Sequence, residues 1–194
     1  MKFLLTWSRL IDSLTERIGR AAHWLILAMV LISAGNAVAR YALNLSSNAW
    51  LEIQWYLFSA VFLLCAGYTL LHNQHVRIDV IAGRLSRCAQ TWLEIFGTVF
   101  FLLPVAGLIL WLSWPVFLDS FRSDEVSSNA NGLILWPARL LLPVGFALLV
   151  LQGISELIKR VAFLRGLIKD PAEQHESGSA VEELAEQIRE ARRE

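Results

Sequence analysis

The sequence predicts an all-α integral membrane protein: four transmembrane helices, an N-terminal amphipathic surface helix, and both termini on the cytoplasmic side. Three observations predict it. Of 194 residues, 56% are hydrophobic and 18% charged, and four apolar windows are too long for buried helices of a soluble domain. Each window suffices to cross a hydrocarbon layer about 30 Å thick at 1.5 Å per residue. Basic residues are also placed asymmetrically. Lys2, Arg9, Arg17 and Arg20 precede the first window, Arg77, Arg84 and Arg87 lie between the second and third, and Lys159, Arg160, Arg165 and Lys169 end the fourth. Only Arg40, Arg122 and Arg139 lie near the other two loops, so both termini are expected inside the cell.

Other classes find little support. The formal net charge is zero, so bulk charge gives no reason to expect nucleic acid. Cys65 and Cys88 fall in mid-membrane and beside a loop, which disfavours a structural disulfide, and no metal spacing is present. Arg9, Asp12, Glu16 and Arg17 interrupt any early apolar run, so no cleavable signal peptide is expected and the first span inserts itself.

Residues 1–20 place Phe3, Leu4, Trp7, Ile11, Leu14 and Ile18 at three-to-four spacing, with most charges on the other face. That predicts an amphipathic helix in the headgroup plane; a frayed leader is the alternative. A four-helix domain is expected over 21–169, with spans at about 23–43, 50–71, 90–118 and 133–159.

Span one carries Asn36 and Arg40 in its second half. A short uncharged connection leads to span two, which holds Glu52 just inside its apolar run. Arg40 and Glu52 therefore lie at similar depth on neighbouring helices, where an ion pair makes both tolerable. Separate snorkelling to headgroups is the alternative.

Span two ends in His72-Asn73-Gln74-His75, followed by Arg77 and Asp79. The spacing of His72, His75 and Asp79 would let them face one metal on a helix. A solvated polar cap, or one contacting another chain, explains the same residues, and no metal site is assigned.

Span three is long enough to tilt or kink, and Pro104 between Gly97 and Gly107 is the expected kink. The loop 119–132 is rich in Ser, Asn and Gly, which predicts irregular surface structure. Asp124 and Glu125 in it are candidate contacts for a partner, or are simply solvated. Trp136-Pro137 suits the start of span four at the interface, and Pro143 can bend it. Gln152 is its one deep polar group, and Glu156 with Lys159 and Arg160 forms three- and four-spaced pairs. Small residues Ala60, Ala66, Gly67, Gly145 and Gly153 mark close helix approaches, within this unit or to another chain. Residues 170–194 form a polar linker and a short helix, marginal alone in water.

Chemistry is sparse. No helix has a polar face to line a pore, and no inverted repeat or broken helix pair marks a self-contained transporter. No phosphate loop, nucleophile elbow or metalloprotease motif is found. The chain reads as a small helical subunit that works by packing against something larger, without a cofactor and without enzymatic activity.

Four stretches carry a family resemblance: N-x3-RY at Asn36–Tyr41, SSNAWLE-x2-WYLF from Ser46 with Glu52, Trp55 and Tyr56, AGYTLL-HNQHVRIDV closing span two, and GLILWPARLLLPVGFALLVLQGISELIKR in span four. They resemble the small membrane subunit of tripartite ATP-independent periplasmic (TRAP) transporters. The resemblance implies uptake of an organic acid, usually driven by a sodium gradient, across the bacterial inner membrane. It implies a periplasmic solute-binding protein and a large multi-span membrane subunit as partners, with membrane lipid around the complex. It also implies structural and interface roles for Asn36, Arg40, Glu52, Trp55, Tyr56, His75, Arg77 and Asp79. Two other readings remain open: a haem-b membrane anchor ligated through His23 and His72, and a small proton-coupled exporter using Glu52.

Overall fold

A computed structural model describes residues 2–44, 48–72, 86–130 and 132–168. The predicted roles of His75, Arg77 and Asp79, and the predicted helix within 170–194, lie outside the described residues.

The first helix, α1, runs without interruption over Lys2–Ala42. At 1.5 Å per residue it is about 60 Å long, twice the hydrocarbon thickness. The expected boundary near residue 20 falls inside this helix, which continues from the amino-terminal segment into the first apolar window. No proline interrupts the region, and Gly19, where the Tyr68 ring of the next helix occupies the space a Cβ would need, lies within the helix.

The second helix, α2 (Asn48–Leu71), returns antiparallel to α1. The third span is built in three parts: α3 (Arg87–Gly97), a π-helical turn (Thr98–Leu102), and α4 (Leu103–Arg122). The Ser86 hydroxyl caps α3 by accepting from the Ala89 amide. The irregularity expected at Pro104 lies in the turn before it. Proline offers no N–H, and its ring crowds the carbonyl four residues back. The preceding turn relaxes by widening, and the Leu103 amide reaches the Thr98 carbonyl.

The last helix, α5 (Trp136–Leu164), starts at Trp136 with proline in its first turn, as the Trp136-Pro137 signal predicts. Pro143 is buried within α5 and does not end it.

All four spans qualify as membrane-crossing by length and hydropathy, so this is a multi-pass membrane protein. The apolar window of α5 is 33% buried, against 6% in each other span. The α5 helix is therefore the hub: it packs on α1, α2 and α4, and α1 packs on α2. Close approach needs small residues. A Cβ on Gly145 would sit 2.7 Å from Leu63 Cβ and 2.9 Å from its carbonyl oxygen, and one on Gly153 would sit 2.8 Å from Leu102. With Gly67 facing Thr15 and Gln152, these small residues serve contacts inside the chain.

Candidate functional site

Two polar clusters lie at opposite ends of this helix set. The first surrounds Glu52, one turn into α2 and only 6% exposed. One carboxylate oxygen accepts from Ser127 Oγ at 2.5 Å and Asn129 Nδ2 at 2.7 Å. The other accepts from the Leu133 amide at 2.7 Å. Asn48 Nδ2 donates to the Ala130 carbonyl at 3.4 Å and Tyr56 Oη to the Ile134 carbonyl at 3.2 Å. The first turns of α2 thus hold the loop between α4 and α5.

That loop is more ordered than its composition predicts. Val126 and Ile134 form an antiparallel bridge, the Ser127 amide donates to the Leu133 carbonyl at 2.9 Å, and the Leu135 amide donates to the Glu125 carbonyl at 2.8 Å. Asp124 is exposed and adopts a left-handed backbone, φ 46°. Glu125 is half-buried, and its carboxylate pairs with Arg139 of α5 at 2.6 Å. Asp124 alone of the two presents its side chain outward.

The expected Arg40–Glu52 pair is not formed. Three neutral donors satisfy the Glu52 carboxylate, and Arg40 lies exposed in the last turn of α1. Charge-assisted bonds from neutral donors tolerate a partly buried carboxylate as well as an opposite charge does. Of the other predicted interface residues, Asn36 is half-buried on α1 and Trp55 is exposed on α2.

The second cluster joins α1, α3 and α5. Ser8, Asp12 and Thr15 recur on one face of α1, and Gln152, Ser155, Glu156 and Lys159 on one face of α5. Ser8 Oγ lies 2.7 Å from Ser155 Oγ, and Ser155 Oγ donates to Asp12 Oδ1 at 2.7 Å. Thr15 Oγ1 donates to Gln152 Oε1 at 2.8 Å, and Gln152 Nε2 donates to Asp12 at 2.9 Å and Glu156 at 3.3 Å. Lys159 bridges Asp12 at 3.2 Å and Glu156 at 2.5 Å. Arg160 pairs with Glu94 of α3 and lies 3.7 Å from Glu156. Beside this, Glu16 of α1 meets Nε2 of His72, the residue after α2, at 3.4 Å.

The expected spaced pairs of Glu156 with Lys159 and Arg160 are therefore present. The polar face of the amino-terminal segment, however, is turned against α5. Ser8 and Thr15 are 1% and 3% exposed, while Phe3, Trp7, Leu10 and Leu14 lie outside. Pairing the two polar stripes gives Ser8, Asp12, Thr15, Gln152, Ser155, Glu156 and Lys159 partners within the chain. The spacing of Ser8, Asp12 and Thr15 carried that signal.

The geometry bears on the two other readings. His72 Nδ1 faces the Tyr68 carbonyl at 3.1 Å while Nε2 faces Glu16, so both ring nitrogens are engaged. The Glu52 carboxylate lies at a helix end, with its oxygens occupied by loop donors. The described residues hold no group of three or more potential metal ligands. The deep polar side chains Gln152, Ser155 and Glu156 are bonded within the chain. They link helices to one another.

No curated protein matches the chain at a significant level. A family model does: that of tripartite ATP-independent periplasmic transporters, DctQ component, matches residues 29–163. The match begins inside α1, spans the three connections between the spans and ends within the last turn of α5, so it includes the Glu52 cluster and the α5 side of the second cluster. This four-span membrane protein belongs to the DctQ family, the small membrane component of TRAP transporters.

Proposed function

We propose that the chain is the scaffold subunit of a sodium-coupled importer of an organic acid, bracing a separate large membrane subunit fed by a periplasmic binding protein. The family membership is the observation that carries this reading. The geometry supports it: polar groups cross-link α1 and α3 to α5 and join α1 to the end of α2, as a stationary brace requires. A carrier domain that moves solute must slide against something fixed, and a wide, tilted set of helices resists displacement in the bilayer.

Both termini are cytoplasmic on this reading, the Glu52 cluster faces the periplasm, and the protein resides in the inner membrane. Asn36, Arg40 and Trp55, which project from α1 and α2, contact the large subunit, and Asp124 contributes to the periplasmic side. Solute binding belongs to the other two components.

The test is affinity purification of the tagged chain from its native membranes in mild detergent, with mass spectrometry of what remains bound. A stoichiometric large polytopic partner is expected. A chain that emerges alone, or with haem or a soluble oxidoreductase, overturns the reading.

A further inference from the structure

The amino-terminal stretch of α1 carries three stripes, each at the three-to-four spacing of one helix face. Ser8, Asp12, Thr15 and Gly19 face α5 and α2. Phe3, Trp7, Leu10 and Leu14 form a second stripe, 46–72% exposed. Arg9, Ser13, Arg17 and Arg20 form a third, all exposed. The first stripe packs against the rest of the chain. The apolar stripe and the basic one are left side by side on the outside.

The basic stripe is not neutralised from within. Asp12, Glu16, Glu94 and Glu156 are the described carboxylates at this end of the helix set. Lys159, Arg20 and Arg160 pair with them, and His72 also meets Glu16. Arg87 is engaged within the chain. Arg9 and Arg17 have no ion pair or side-chain hydrogen bond among the described residues. The Arg165 side chain has none either; it shares a cavity with Leu4 on the far side of the apolar stripe. The uncompensated charge among the described residues of this end is therefore positive.

Depth says what meets it. Asp12 bonds Ser155, nineteen residues beyond Trp136, or about 28 Å along the axis of α5. With Trp136 at one interface, this level lies close to the other boundary of a hydrocarbon core about 30 Å thick. Arg9 and Arg17 stand on either side of Asp12 along α1, and long guanidinium side chains reach from such a level to lipid phosphates. An exposed apolar stripe with a Trp, set beside a basic stripe at the hydrocarbon boundary, is the pattern of a helix seated in a charged membrane surface. We propose that Arg9 and Arg17 bind the phosphates of anionic phospholipids, whose acyl chains cover Phe3, Trp7, Leu10 and Leu14. Uncompensated cations select an anionic headgroup over a zwitterionic one, whose own amine offsets the attraction. The proposal requires only that the helices stand in a bilayer and does not depend on the identity of the large subunit.

Ser13 lies between Arg9 and Arg17 on the same stripe and is exposed, so a photo-crosslinker there samples what the two arginines hold. Gly35, exposed on the other half of α1 with nothing within 4 Å of an added Cβ, is the reference position. The full chain is reconstituted in vesicles of equal phosphatidylethanolamine and phosphatidylglycerol, irradiated, and its adducts are identified by mass spectrometry. An excess of phosphatidylglycerol is expected at Ser13 relative to Gly35. Arg9→Gln and Arg17→Gln should each cut that excess about fivefold, as for one basic residue at an anionic surface. Added salt should shrink it, and Arg9→Lys and Arg17→Lys should keep it. Thermal melting of each variant verifies its fold. The same lipid ratio at both positions overturns the proposal, as does an excess that survives the loss of both arginines. A crosslinker at Ser13 labelling residues 170–194 or a second chain in place of lipid also overturns it.

Discussion

The two ends of the helix set hold their carboxylates by different means. At the Glu52 end, one carboxylate accepts from Ser127, Asn129 and the Leu133 amide, all neutral. At the other end, Asp12, Glu94 and Glu156 are held by Lys159 and Arg160, with Gln152 and Ser155 filling in. The first arrangement ties a loop to one helix end and leaves the helices to their apolar packing. The second ties α1 and α3 to α5. A neutral-donor cap loses hydrogen bonds when a partner is removed, whereas an ionic cluster is left with an uncompensated buried charge.

The contrast is sharpest at Lys159, which bridges two carboxylates on different helices. Lys159→Met leaves Asp12 and Glu156 facing each other and is expected to cost about 3–5 kcal/mol, measured as the loss of unfolding free energy in detergent. Adding Asp12→Asn and Glu156→Gln should recover most of it, since removing all charges removes the uncompensated one. No recovery would mean that Lys159 acts through packing and the ionic account is wrong.

Glu52→Gln is expected to have a smaller effect confined to one end. The amide keeps one acceptor for Ser127 and Asn129 but turns N–H groups toward the Leu133 amide. Hydrogen exchange should accelerate at residues 125–135 while the amides of α1 and α5 around Asp12 and Ser155 stay protected. Protection lost uniformly along the chain would show that the two ends are one cooperative unit.

Smaller again is Glu125→Gln. The pair with Arg139 is about one-third exposed on both sides, so water and salt screen it, and the expected cost is below about 1 kcal/mol. Added salt should shrink that cost further and leave the Lys159→Met effect unchanged. The smallest expected effect is a coupling: a double-mutant cycle of Arg40→Ala and Glu52→Gln, read as melting temperature, should be additive. A clear interaction would restore the ion pair that the helix spacing first suggests.

The four spans were legible because membrane crossing is a property of contiguous sequence: length and apolarity decide it before any contact forms. Trp136-Pro137 announced the start of α5, and the Glu156, Lys159, Arg160 spacing announced their pairing, because both are local. The partner of Glu52 was misread for the opposite reason. Arg40 is near in sequence and opposite in charge, while the true donors are neutral groups that stand 75 to 81 residues away. The irregularity in the third span, a π-helical turn over Thr98–Leu102, lies just before Pro104, because proline strains the turn that precedes it.

Sequence by itself determined the class of molecule, the number of spans and the family, since hydrocarbon length and motif order are written along the chain. Tertiary structure alone decided which polar groups meet. It turned the face of Ser8, Asp12 and Thr15 inward against α5 and joined Glu94 to Arg160. Those outcomes depend on how rods pack side by side, and a buried polar group takes whichever partner the packed helices bring within hydrogen-bond reach.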